Sequence, residues 1–167
     1  MARTYLDQLV DYPAKIIQKI AQSNECVGLI VNKGFQNVDE DDCDSVLDNN
    51  IFDYQYVDST TQTTAAYIWV EMEINRVQNE QIKDIRVYVT VACHKEYMKL
   101  DHSIFTGVLG NRRDNIVRYL DKELMGKEDF GIGKLSLTTV RTLSPMNGFT
   151  ARVLTYSIPD FNIVGVA

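Results

Sequence analysis

The 167 residues include 45% apolar and 24% charged side chains, an ordinary globular composition too apolar for a disordered chain. Seventeen Lys and Arg against 23 Asp and Glu give a net charge of −6, which repels phosphate and disfavours a long basic stripe that grips nucleic acid. Cys26, Cys43 and Cys93 are odd in number and widely spaced without a CxxC, so neither a disulfide framework nor a zinc site is suggested.

No run approaches the ~18 apolar residues of a membrane span. Met1-Ala2-Arg3-Thr4-Tyr5 lacks the apolar core of a signal peptide. The expectation is one soluble domain over residues 1–167, made in the cytoplasm.

Leu6, Leu9 and Val10 share a helical face, and Pro13 then stands where a first-turn proline is tolerated, with Asp11 or Tyr12 as cap. The opening segment is therefore predicted as two helical pieces, the second carrying Ile16, Ile17 and Ile20 and ending at Ser23-Asn24. Cys26, Leu29, Ile30 and Val31 fit one more short helix, which Val27-Gly28 weakens. Residues 32–50, with Asp39-Glu40-Asp41-Asp42-Cys43-Asp44, are the most polar stretch and are expected as an acidic surface loop. A helical turn is expected within it near Ser45-Val46-Leu47, stopped by Asn49-Asn50.

Strand signals follow. From Ala65 to Ile74, apolar Ile68, Val70, Met72 and Ile74 alternate with Tyr67, Trp69, Glu71 and Glu73. Beyond a polar connection at Gln78-Asn79-Glu80, Ile85, Val87, Val89, Val91 and Cys93 alternate with Arg86, Tyr88, Thr90, Ala92 and His94, which makes a hairpin. A helix is then expected from an Asn111 cap to Gly126, with Ile116, Val117, Leu120 and Leu124 as its apolar stripe and Asp114–Arg118 as an i,i+4 pair. Two more strands, Ile132 to Leu143 and Phe149 to Tyr156, flank a turn at Ser144-Pro145-Met146-Asn147-Gly148. Residues 158–167 form an apolar C-terminal arm. The fold class is α+β, in the order α-β-β-α-β-β. A four-stranded, mainly antiparallel sheet has two long helices on one face and a less protected second face.

Chemical motifs are mostly wanting. A calcium loop counted from Asp39 puts Asp44 where glycine is required and Asn50 at the last ligand position. Gly131-Ile132-Gly133-Lys134 lacks the earlier glycine of a phosphate loop, where Glu128 stands, and Leu135 replaces its Ser or Thr; the glycines fit a bend into a strand. His94 and His102 suit structural or surface roles. No catalytic, cofactor or metal residue is therefore assigned. The enzyme alternative with most content is a Mg²⁺-dependent nuclease, with Glu71 and Glu73 on one strand face and Asp84, Arg86 and His94 on the next strand. A generic protein-binding adaptor is the other alternative.

The order of elements resembles the head–tail joining proteins of tailed bacteriophages, the tail-terminator and neck-connector group. The likeness runs from the helix with Ile16-Ile17-Gln18-Lys19-Ile20 through the acidic loop, Asn50-Ile51, Tyr54 and Tyr56-Val57 to Tyr67-Ile68-Trp69-Val70. It continues through His94-Lys95, Asn111-Arg112-Arg113-Asp114-Asn115-Ile116, Gly131-Ile132-Gly133-Lys134-Leu135, Leu154-Thr155-Tyr156 and Asp160-Phe161. The resemblance implies a non-enzymatic virion protein that forms a ring, six- or twelvefold, at the head–tail junction. Its implied partners are copies of itself, portal or neck proteins and tail-tube proteins, with DNA passing through unbound and no membrane involved. Interface candidates are Tyr67, Trp69 and Tyr88 on the less covered face, and Phe161, Ile163 and Val164 in the arm. Asp39, Glu40, Asp41, Asp42 and Asp44 are candidates for a loop facing the channel.

Overall fold

Alternating apolar residues over two long segments build the centre of the molecule. The computed structural model describes residues 5–58, 60–78, 82–128, 130 and 133–161. Helices are α1 (Tyr5–Ala21), α2 (Asn24–Val31), α3 (Glu40–Val46) and α4 (Arg112–Leu124). Strands are β1 (Ile51–Phe52), β2 (Ala66–Gln78), β3 (Ile82–His94), β4 (Ser136–Met146) and β5 (Phe149–Phe161). They form one five-stranded sheet in the order β1-β2-β3-β5-β4, antiparallel except for the β1–β2 pair.

The α+β class stands, with differences of count. The sheet has five strands rather than four, and α2 and α3 accompany the two long helices. Strand β1 has only two residues, Ile51 and Phe52, too few to show a period. It is fixed instead by tertiary hydrogen bonds: the Ile68 amide donates to Asn50 O at 2.8 Å, and Asn50 Nδ2 donates to Ala66 O at 2.9 Å.

Register turns the alternation into layers. Ile74, Ile85 and Ile158 lie side by side across β2, β3 and β5; so do Met72, Val87 and Tyr156, and then Val70, Val89 and Leu154. This face meets Ile16 and Ile20 of α1, Cys26, Val27, Leu29 and Ile30 of α2, and Ile116, Leu120 and Leu124 of α4 in the main core. Tyr156 Oη donates to Asp121 Oδ1 at 2.9 Å, fastening β5 to α4, and burial together with that carboxylate pushes the phenol pKa up.

Helix α1 is continuous through Pro13, where two pieces were predicted. Pro13 is itself buried, so packing holds the turn that the missing N–H weakens. Helix α2 forms despite Gly28 because Ser23 caps it, and because Gly28 permits a close chain crossing. A Cβ there would stand 2.6 Å from Lys33 O. The acidic stretch is not a loop throughout. Asp39 and Asp42 form a reciprocal capping box that starts α3, and Val46 at the helix end is fully buried.

Helix α4 has the predicted Asn111 cap, and Gly126 follows its end with φ of +72°. The expected Asp114–Arg118 pair gives way to other partners. Asp114 accepts from Arg152 Nε of β5 at 2.9 Å and pairs with Arg113, while Arg118 donates to Tyr119 Oη. Arg112, outside the apolar stripe of α4, is nevertheless only 2% exposed. It donates to the carbonyls of Tyr97 and Leu29 and to Asn32 Oδ1, and stacks 4.0 Å from the centroid of the Tyr97 ring.

The β4–β5 turn is tighter than the predicted five residues. Asn147 and Gly148 have φ of +47° and +83°, a two-residue hairpin turn with both central residues left-handed. A Cβ on Gly148 would lie 2.8 Å from His94 Nε2. Strand β5 also continues through residues 158–161, which pair with β3 from Ile85 to Ile82. The proposed arm is therefore strand over its first part, and Ile158 is fully buried. Apolar periodicity ends near Tyr156, but β3 supplies a partner further on. Residues 131, 132 and 162–167 lie outside the described residues.

Two outcomes test these linkages. Replacing Arg112 leaves buried acceptors unmet, so Arg112→Met should lose about 3 kcal/mol and Arg112→Lys about 2 kcal/mol in urea unfolding. At Asp114, burial raises the carboxyl pKa, but hydrogen bonds from Arg152 and Asn111 and the adjacent Arg113 outweigh it and lower it to about 2. A folded pKa below the ordinary 3.8 stabilises the fold above that value, and the contribution fades as pH falls toward about 2. Its side chain is 38% exposed, so screening reduces the contribution to about 1 kcal/mol. The stability gap between the natural chain and Asp114→Asn should shrink over that window.

Candidate binding face

All four helices pack on one side of the sheet, so the other side is the place to look for a site. Its near half is apolar. Phe52, Val57, Tyr67, Trp69, Ala92, Phe149 and Ala151 make a second buried cluster. The segment after β1 lies across it: the Tyr56 ring stacks on Phe52 at 4.2 Å and tilts against Tyr67 at 4.8 Å. Asn147 Nδ2 donates to Thr61 O, joining the same covering segment to the β4–β5 turn.

Of the interface candidates, Tyr67 and Trp69 are therefore not left open. They are 3% and 4% exposed and already packed within the chain. Burial raises the Tyr67 pKa, with a smaller opposing effect from its Thr63 hydrogen bond. Tyr88 is half-buried and donates to Glu73 Oε2 at 2.8 Å; that carboxylate bond raises its pKa. Phe161 ends β5 by its backbone, whereas Ile163 and Val164 lie outside the described residues.

The acidic candidates do not act as one loop. Asp39 caps α3, and Asp42 completes the capping box and pairs with Lys33; Glu40, Asp41 and Asp44 are exposed along the short helix. Lys33 also pairs with Asp39 at 2.9 Å, and this hydrogen bond is the largest of the effects that lower the Asp39 pKa.

Next to the covered cluster, a recess of about 200 Å³ lies among Val57, Trp69, Leu143, Met146, Phe149 and Val153. Beyond Tyr88 the face becomes polar. A wider cleft of about 380 Å³ is lined by Asp84, Arg86, Tyr88, Thr139, Arg141 and Thr155, among others. Register orders these residues: Glu73, Arg86 and Ser157 stand abreast, then Glu71, Tyr88, Thr155 and Thr139.

The nuclease constellation is only partly assembled. Glu71 and Glu73 share the face, but opposite them stand Tyr88 and Arg86. His94 is eight residues along β3 from Arg86, roughly 25 Å away. There it packs edge-on to Phe149 and accepts from the Glu96 amide. Among the described residues no three His, Cys, Asp or Glu side chains gather as metal ligands. Burial pushes Cys26 and Cys93 up to about 12, which leaves them poor nucleophiles.

The sheet's outer edges are the second notable feature. Strand β4 ends the sheet, with Val140 and Leu143 exposed at 45% and 42%. On the opposite side β1 covers β2 only at Ile68 and Trp69, leaving the remainder of β2 without a neighbouring strand among the described residues. No described helix is long and apolar enough to cross a membrane.

Together these features define an α+β protein whose helices shield one side of a sheet with both edges open among the described residues. The YomW family model matches residues 14–158, and the chain belongs to that family. The family bears the name of a Bacillus phage-derived protein, which points to a phage origin. No curated protein matches the chain.

The covered cluster has a direct check. Trp69 is the sole tryptophan and reports on the recess that Val57 also lines. Val57→Asp should shift its emission to the red and cost about 3 kcal/mol in unfolding experiments.

Proposed function

We propose that this chain is a structural subunit of a phage virion, forming a ring at the head–tail junction as a tail terminator or neck connector. The observation that carries the reading is the pair of sheet edges that are open among the described residues, β4 with exposed Val140 and Leu143 on one side and most of β2 on the other. Unpaired backbone N–H and C=O groups on an edge are templates for another strand. Because the two edges belong to different strands, pairing one with the other is heterologous, and such contacts close into rings when the rotation permits. The phage origin of the family supports the same reading.

In this reading copies of the chain are the first partner, six or twelve to a ring. Portal or neck proteins lie on one side and tail-tube proteins on the other. The negative net charge suits a collar through which DNA slides without adhering.

The test combines solution assembly with virion imaging. Light scattering of the full chain, alone and with tail-tube protein, should give a multimer. The double substitution Val140→Lys with Leu143→Lys should remain folded and lose at least tenfold in association. Electron microscopy of labelled virions should place the chain at the neck. A label elsewhere on the particle overturns the assignment, as does a chain that remains monomeric under both conditions.

A further inference from the structure

The two sheet edges carry opposite charges that one copy of the chain leaves unpaired. Arg141, exposed on β4, has no ion-pair or hydrogen-bond partner among the described residues, and neither has Glu71, exposed on β2. Within one copy, three strand spacings put β4 about 14 Å from β2, too far for these two side chains to meet. Arg86, on the strand next to Glu71, is already engaged: it stands opposite Glu73 and bonds the Tyr88 hydroxyl.

We propose that β4 of one copy pairs antiparallel with β2 of the next, in the register that sets Arg141 against Glu71. This contact rests on the ring reading and specifies its joint. Direction follows from the sheet, since β2–β3, β3–β5 and β5–β4 are all antiparallel and β4 therefore runs opposite to β2. A second copy that continues the sheet presents its β2 antiparallel to the β4 edge, with its helices on the same side.

Backbone alternation agrees with that register. The Ile68 amide points away from β3, to Asn50 O, so Met72 and Ile74 also turn their backbone groups to the outer edge. Carried across the ladders, the same alternation turns Val153 toward β4, Arg141 toward β5, and Val140 and Thr142 outward. Setting Arg141 against Glu71 then sets Val140 against Met72, one outward-turned residue from each strand. Val140 is 45% exposed and Met72 half-buried, and both lie on the helix side of the sheet, so apolar surface is covered there while the charges meet on the other side. Neighbouring registers lose this match. A shift of two residues one way sets Arg141 against Trp69, where Phe52 of β1 already holds the edge. The opposite shift sets it against Glu73, which accepts from Tyr88, and leaves Glu71 facing Leu143. A shift of one puts the two charges on opposite faces.

Cysteine pairing and charge reversal test the register. The full chain carrying Arg141→Cys, mixed with the chain carrying Glu71→Cys, both in a Cys43→Ser background, should form a disulfide-linked dimer on mild oxidation, because facing residues of this kind lie about 4.5 Å apart at Cα. Arg141→Cys mixed with Glu73→Cys should give at least about fivefold less. In light scattering, Arg141→Glu and Glu71→Arg should each weaken association about tenfold, and the two together should restore it to within about threefold of the natural chain. Thermal unfolding of each variant verifies that it is folded. A multimer that cross-links equally through Glu73→Cys, or that the double reversal does not restore, overturns the register and leaves the ring reading standing. A chain that never associates overturns both. A restored multimer whose label lies away from the neck keeps this contact and overturns the junction assignment.

Discussion

The Arg112 guanidinium governs how the helical layer meets the sheet, because it is a buried cation satisfied by three uncharged groups from two distant parts of the chain. The Leu29 carbonyl and the Asn32 side chain come from the end of α2, and the Tyr97 carbonyl comes from the turn after β3. The partial negative charge at the C-terminus of α2 favours a cation there, and the Tyr97 ring adds its face. The fork geometry of arginine lets one side chain meet acceptors that no single lysine ammonium could span. Its own backbone amide donates to Met98 O at 2.8 Å, so the start of α4 is tied to the same junction.

That junction sets the direction of α4. Asp114, two residues on, reaches Arg152 on β5, and Asp121 receives the Tyr156 hydroxyl. These contacts hold α4 over β3 and β5 while α1 covers β2. With every described helix committed to one side, the opposite face is covered, among the described residues, where the segment after β1 crosses it. The molecule consequently has a closed apolar end around Trp69 and an open polar end around Thr155. The edge strand β4 borders both.

The two functional readings draw on the same edges of this asymmetric sheet. Assembly uses the backbone edges of β4 and β2 together with Val140 and Leu143. The register between copies adds Arg141 and Glu71, which stand on those edges on the face without helices.

Local pattern alone was enough to place β2 and β3, the Asn111 cap of α4 and Gly126 after its end, because period and capping depend on residues within a few positions of one another. It also put Glu71, Glu73, Arg86 and Tyr88 on one face. Thr155 and Arg141 carried no such signal, since their place on that face arises from β5 pairing with the distant β3 and from β4 pairing in turn with β5. Only the tertiary structure decided that Arg112 turns inward, that Ile51 and Phe52 add a fifth strand, and that Tyr67 and Trp69 are covered. Each of these outcomes rests on contacts between segments distant in the chain, where the energy of burial or a hydrogen bond belongs to a pair of sites and leaves no periodic trace in either.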